Sequence, residues 1–281
     1  MQKTCDLHTH SVYSDGTFTP SELIDAAVEA GISALALTDH NTVTGLSDFI
    51  ASAEGKPLEI VPGTEFTTAY NGQELHILGL FIEPERFKSV NKYIDKATIL
   101  KEESNYRLVK RLRERGYNIT YIEILEGSRG HVNRANIAAE LLKKGYIKSI
   151  DEGFKTLLHK DYGLYEPPER LSALETISFI RSIGAVAVWA HPFFHVNYEQ
   201  AVEFLPRAIE AGLQGMETMY STYDEETTRI SREMTKRFGI LESGGSDFHG
   251  ANKPDISLGV GRGNLCIPYE FYENLKALKN A

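Results

Sequence analysis

The stretch ISALALTDH (residues 32–40) is apolar but for Ser33 until it closes on three polar residues. A strand of that kind is buried on both faces, as in a parallel sheet covered by helices. EIVPGTEF (59–66), ELHILGLFI (74–82), AVAVWAH (185–191), LQGMETMY (213–220) and ILESGGSDFH (240–249) read as further strands, and residues 5–10 as a short one. Helical stretches separate most of them. The first is bounded by its own chemistry: Thr19-Pro20-Ser21-Glu22 is a capping box with proline at the first helical position, and Gly31 ends the helix. Strands alternating with helices predict a parallel sheet or barrel. His40, Glu65, His191 and the pair Asp247/His249 all fall at the C-terminal ends of apolar strands, where α/β barrels assemble their sites.

A chain of 281 residues suits one large α/β domain carrying an insertion better than two independent domains. The rhythm breaks between 86 and 170, where FKSVNKYIDKATILKEESNYRLVKRLRERGY leads into shorter helices and then Glu166-Pro167-Pro168. The expected organisation is a distorted (β/α)7 barrel in two parts, 1–85 and 171–281, with a helical cap over 86–170. The long helix, 87 to 116, is compatible with a dimer contact or with a solvated lid, so the oligomeric state stays open. No apolar run approaches the roughly 18 residues that span a bilayer, and no basic segment leads an apolar one at the N-terminus. Cys5 and Cys266 make no disulfide framework. The expected compartment is the cytoplasm, away from membranes. A net charge of −9 argues against a surface that tracks long duplex nucleic acid. A small anionic substrate would need a local positive site, which bound metal ions supply.

His8, His10, His40, His76, His191 and His249 stand at or near strand ends, accompanied by Asp15, Glu65 and Asp247. Period-two alternation puts His8 and His10 on one face. One histidine near a strand is ordinarily a hydrogen-bonded structural residue; nine such groups gathered at one end of a barrel are not explained that way. Imidazoles mixed with carboxylates suit zinc, manganese or iron.

DLHTHSVYSDG, TDHNTVTG, PGTEF, ELHILG, AHP and GGSDFHG, in that order, resemble the motifs of the PHP (polymerase and histidinol phosphatase) family of metal-dependent phosphoesterases over nearly the whole chain. The resemblance implies a distorted seven-stranded barrel with three divalent metal ions at its C-terminal face. His8, His10, Glu65 and Asp247 would hold one ion. Glu65 would bridge to a second held by His76 and His191, and Asp15, His40 and His249 would hold the third. None of the nine positions departs from the family pattern. Three such ions outweigh three carboxylates, so the site would draw phosphate, turn a bridging water into a hydroxide nucleophile and hold the reacting oxygens in line. Asp247 and His191 are the candidate catalytic residues: Asp247 orients the nucleophile, and a ligand histidine or a water protonates the leaving group.

Arg129, His131 and Arg134 cluster before a helix in GSRGHVNRANIAAELLKKGYIKS, where a second anion clamp is one reading and a solvated helix start the other. With YEPPE and WAHP, this stretch resembles the subgroup that removes a phosphate from nucleoside 3′,5′-bisphosphates or trims short RNA from its 5′ end, in which the cap contacts the phosphate that is not cut. The usual Arg-Pro-His is Arg129-Gly130-His131 here, a looser backbone. The expected partner is therefore a small phosphorylated substrate, a nucleotide or short oligonucleotide. Tyr165, Tyr220 and Tyr223 could stack on its base. His159 and His195 read as surface groups or neighbours of the pocket, Glu217 as a support for the ligands or a structural hydrogen-bond partner, and Trp189 as core. The rivals are a phosphatase for a small metabolite such as histidinol phosphate, an amidohydrolase, and a non-catalytic metal-stabilised module. The second commonly carries a strand lysine between its metals, absent here, and the third should have lost ligands.

Overall fold

A computed structural model describes residues 3–126 and 132–279. The chain divides into two compact units, Met1–Lys92 with Leu171–Ala281, and Tyr93–Arg170. The helix Phe87–Glu114 starts in the first and continues into the second. Among the described residues no helix is long and apolar enough to cross a membrane.

The first unit holds eight strands: β1 (Cys5–Asp6), β2 (Ala34–Leu37), β3 (Glu59–Tyr70), β4 (Gln73–Leu80), β5 (Leu171–Ser172), β6 (Val186–Ala190), β7 (Gly215–Tyr220) and β8 (Leu241–Gly245). Seven of them form the path β1-β2-β3-β4-β6-β7-β8, with β5 paired to β3 off that path. Backbone hydrogen bonds from Leu7 N–H to Gly244 O (3.1 Å) and from Asp247 N–H to His8 O (2.9 Å) join its two ends, so the sheet is a nearly closed seven-stranded barrel. At that seam Gly245 has no room for a Cβ, which would overlap the His8 side chain. The capping box at Thr19 forms as predicted, and the helix runs Pro20–Glu29 with Gly31 left-handed beyond it.

One strand departs from the parallel expectation. β4 runs antiparallel to both β3 and β6, because Asn71 and Gly72 take φ of 49° and 78° and close a two-residue hairpin between Tyr70 and Gln73. Asn-Gly is the preferred dipeptide for such a turn, whose twist matches that of the strands it joins.

Cys5, Ala34, Ala36, Val61, Leu78, Leu80, Val186, Val188 and Ala190 form one buried cluster with Phe271, Tyr272 and Leu275 of the helix Tyr269–Lys279. The i, i+2 spacing within β2, β4 and β6 is the signature of one strand face turned to a common interior. Trp189 lies on the other face of β6, fully buried against Phe204.

The second unit is helical among its described residues and has its own core, in which Leu108, Leu112, Ile119, Ile137, Leu141, Leu158 and Leu164 pack together. Its helix Arg134–Lys143 opens on a capping box formed by Asn133 and Asn136.

Candidate metal centre

Glu65 sits at the centre of the site. Counting by two along β3 from interior Val61 puts its side chain inside the barrel, and the same parity along β4 from Leu78 does so for His76. Glu65 Oε1 accepts from His76 Nδ1 (2.7 Å) and lies 3.0 Å from His191 Nε2. Glu65 Oε2 lies 3.2 Å from His8 Nε2, 3.3 Å from His10 Nε2 and 3.0 Å from His40 Nδ1. His10 Nε2 is 3.1 Å from Asp247 Oδ1, and His249 Nε2 is 3.2 Å from Asp15 Oδ1. The structure thus brings all nine predicted ligand side chains into one contiguous cluster. Within it, His8–His10–Asp247, His8–Glu65–His191, His40–Glu65–His76 and His10–Asp15–His40–His249 each present ligand atoms within 4.8 Å of one another. His195 forms a fifth such group with His76 and His191.

Two of the predicted ligand positions depend on unusual backbone. Alternation along Val186, Val188 and Ala190 would aim His191 outward, but its φ of 27° ends that alternation and its ring meets Glu65. Asp247 has φ of 56°. Non-glycine residues hold such conformations only where their surroundings compensate the strain, and they cluster at functional sites. Part of the compensation for His191 is Glu217, at a bulge in β7. This fully buried carboxylate accepts the His191 N–H at Oε2 (2.7 Å) and His8 Nδ1–H at Oε1 (3.0 Å). A carboxylate only accepts, so Nδ1 of His8 carries a proton, and Nε2, facing the cluster, is the nitrogen that would bind a cation once its own proton is displaced. The Asp247 carbonyl does the same for His249, accepting from Nδ1 at 2.8 Å. Tyr220 OH and Lys253 Nζ donate to Asp247 Oδ2 at 2.8 and 2.6 Å, while Oδ1 faces the imidazoles.

Three supporting residues escape the sequence reading. Asp6, fully buried, accepts from Ser246 N–H (2.8 Å), Ser246 Oγ (2.5 Å) and Gly259 N–H (2.8 Å), pinning β1 to the segment that carries Asp247. Asp39 accepts from Ser11 N–H (2.7 Å), Ser11 Oγ (2.6 Å) and Ser14 Oγ (2.6 Å), fixing the loop that carries Asp15. Lys253 is the third. An acidic residue inside an apolar strand end, as in CDLHTH and LTDH, is the signal for the first two, because a buried carboxylate requires donors.

The electrostatics come from concentrating these groups away from water. Burial by itself would raise the Glu65 carboxyl; His8, His10, His191 and His76 outweigh it and hold that carboxyl well below the usual range. Burial likewise opposes charge on His10, yet Asp247 and Glu65 push its imidazole up to about 9. His40 goes the other way, to about 4, chiefly through burial, with Glu65 opposing and His10 adding to the fall. In the metal-free cluster, imidazole protons balance the carboxylates, and divalent cations would replace them.

The donor set fits such ions. Glu65 Oε2 and the Nδ1 atoms of His40 and His191 are buried without a hydrogen-bond partner among the described residues. Orphaned buried polar atoms are costly unless something else binds them. Spacings of 3.0–3.3 Å around Glu65 Oε2 are close to the roughly 3.4 Å between neighbouring ligand atoms on one tetrahedral ion with bonds of about 2.1 Å.

The predicted substrate residues fare differently. Arg129 and His131 lie outside the described residues. Arg134 lines a cavity of about 380 Å³ in the second unit with Lys101, His159, Lys160, Tyr165 and Arg170, its guanidinium 4.4 Å from the centre of the Tyr165 ring. Base stacking on Tyr220 and Tyr223 is not what the structure offers, for they are 3 and 7% exposed, whereas Tyr165 lines the Arg134 cavity. Tyr220 is engaged with Asp247, and Tyr223 OH accepts the Phe193 N–H at 2.9 Å. Tyrosines on or beside a strand end are drawn into the core by their apolar rings while the hydroxyl finds a buried partner.

The chain is 28% identical over 250 residues to a 5′-3′ exoribonuclease from Haemophilus influenzae, covering 89% of this chain and 91% of that protein. It is 29% identical to a 3′,5′-nucleoside bisphosphate phosphatase from Chromobacterium violaceum, covering 87 and 86%. A structure from Bifidobacterium adolescentis, described as a metal-dependent phosphoesterase, superposes with a TM-score of 0.68 at 26% identity, covering 98% of this chain and 96% of the other. The model of the PHP domain matches residues 6–164. With the barrel, the ordered motifs and that match in agreement, the chain belongs to the PHP domain family.

Proposed function

We propose that this protein is a metal-dependent phosphoesterase that removes phosphate from a nucleoside 3′,5′-bisphosphate or from the end of a short oligonucleotide. The observation that carries this reading is Glu65, a buried carboxylate with the imidazoles of His8, His10, His40, His76 and His191 within 3.3 Å of its oxygens. In the arrangement we favour, His8, His10, Glu65 and Asp247 hold one divalent ion, Glu65, His76 and His191 a second, and Asp15, His40 and His249 a third, as manganese, zinc or iron. Such ions supply Lewis acidity toward phosphoryl oxygens and a water acidic enough to act as a nucleophile near neutral pH. The protein's own residues do the positioning. Glu217 fixes the His8 tautomer, the Asp247 carbonyl fixes that of His249, and Tyr220 with Lys253 holds Asp247 so that Oδ1 faces the reacting centre. Asp247 orients the nucleophile, and His191 is our candidate for the proton to the leaving oxygen.

The names of the two relatives support a nucleotide or short RNA as substrate. So does the cationic cavity around Arg134, whose Lys101, Lys160 and Arg170 suit a polyanion. The test is a substrate panel on metal-analysed protein: adenosine 3′,5′-bisphosphate, a 5′-phosphorylated short RNA and histidinol phosphate, each with and without added Mn²⁺. The expected result is hydrolysis of the first two over the third. Fewer than two tightly bound ions per chain together with no hydrolysis of any substrate would refute the proposal.

A further inference from the structure

The segment just beyond His191 builds a second feature at the same end of the barrel. Phe193, Phe194, His195, Val196, Tyr198 and Ile230 line a cavity of about 550 Å³ in the first unit, within the size range of pockets that take small molecules rather than protein segments. Phe194 is 62% exposed and Tyr198 45%. The Tyr198 hydroxyl accepts from Arg237 at 3.2 Å, and exposed rings grouped on one concave surface, unlike rings scattered singly, mark a ligand or partner site. The cavity adjoins the candidate metal centre: the Phe194 ring centre lies 5.7 Å from that of His191, and His195, which lines the cavity, lies 4.9 Å from His76. Asn197 and Thr227 complete the lining, which among the described residues carries no carboxylate, lysine or arginine and so suits an uncharged flat ring better than a phosphate.

We infer that this cavity is the nucleobase site of the enzyme, with Phe194 as the stacking surface and Tyr198 as the side wall. The inference rests on the phosphoesterase reading above and adds the group of the substrate that this surface holds. A phosphate placed at the His191 end of the cluster leaves its nucleoside within reach of Phe194, and stacking on the face of that ring tolerates any base, with Asn197 and Thr227 the polar side chains of the lining. The site therefore predicts low base selectivity and a clear preference for a base over none.

The experiment uses the full chain loaded with Mn²⁺ and compares a nucleoside 3′,5′-bisphosphate with the same sugar bisphosphate lacking its base. The wild-type ratio of kcat/KM between the two is set against the ratios for Phe194→Ala and Phe194→Trp, and stacking is read directly from the quenching of a 2-aminopurine nucleotide. The expected result is that Phe194→Ala lowers the ratio on the order of 10-fold, mainly through KM, and abolishes the quenching, while Phe194→Trp keeps both. Equal losses on both substrates, an unchanged ratio, or no quenching in the wild type would overturn the base site while leaving the phosphoesterase reading standing. Hydrolysis of neither substrate by the wild type would overturn that reading and this site with it.

Discussion

Replacing Glu217 with glutamine changes one atom type at a position with no access to solvent, and the geometry dictates the consequence. The native carboxylate satisfies two donors at once, His8 Nδ1–H and the His191 amide. A glutamine has one acceptor oxygen. If it keeps His8, its NH₂ group faces the His191 N–H, donor against donor; flipped, it abandons the His8 tautomer. The first arrangement leaves a buried donor unsatisfied, a cost of about 1–3 kcal/mol, and the second moves the His8 proton to Nε2, where it competes with a cation. The loss falls on the geometry of two proposed ligands in different parts of the cluster, so the expected effect on metal affinity is roughly 10–100-fold, as for other groups that orient ligands. Competition against a chelator of known affinity measures it, with the melting temperature of the metal-free protein tracked in parallel. Glu217→Gln should bind metal more weakly by that factor, and its kcat at saturating metal should fall as well. A variant whose melting temperature drops while its metal affinity stays within about threefold of wild type would show that Glu217 supports the fold alone, and would refute the reasoning.

Metal binding should release protons near neutral pH. The folded-state His10 imidazole, raised to about 9 from an ordinary value near 6.5, contributes stability that is fully present below the ordinary value and is lost as pH rises through about 9. Cations displace that proton, so metal affinity should climb as pH rises toward about 9 and level off above it. Calorimetry at pH 7.5 in buffers of different ionisation enthalpy checks this, and buffer-independent heats would contradict it. Asp39→Ala frees Ser11 and Ser14 from their shared anchor and with them the loop bearing Asp15; elemental analysis should find about one ion fewer per chain, and an unchanged content would count against the role given to Asp39. Gly245→Ala forces a methyl group into His8 at the barrel seam, at about 1–3 kcal/mol for overpacking. Its thermal midpoint should fall by roughly 2–4 °C for each kcal/mol, and an unshifted midpoint would mean that the seam yields freely.

What could be read from one dimension was whatever repeats or caps over a few residues. Apolar strands with polar C-terminal ends, the Thr19 capping box and the six separated motifs require no knowledge of distant partners, and they sufficed for the barrel and for the membership of the nine-residue cluster. The Asn71-Gly72 hairpin that turns β4 antiparallel was equally local; the general alternation of strands and helices masked it.

The rest depends on groups brought together from far along the chain. Glu217 meets His8 across 209 positions and Asp6 meets Ser246 across 240, so neither carboxylate announces its partner. Whether Tyr220 offers its face to a ligand or its hydroxyl to Asp247 is decided by burial, and so is the exposure of Phe194, only two residues beyond buried Pro192. Alternation would have sent His191 outward, and only the left-handed turn held by Glu217 brings it in. Residue types and periodicity are properties of neighbours on the chain, whereas tautomer, strain and exposure belong to the packed interior, where the dielectric is low and every polar atom must find a partner.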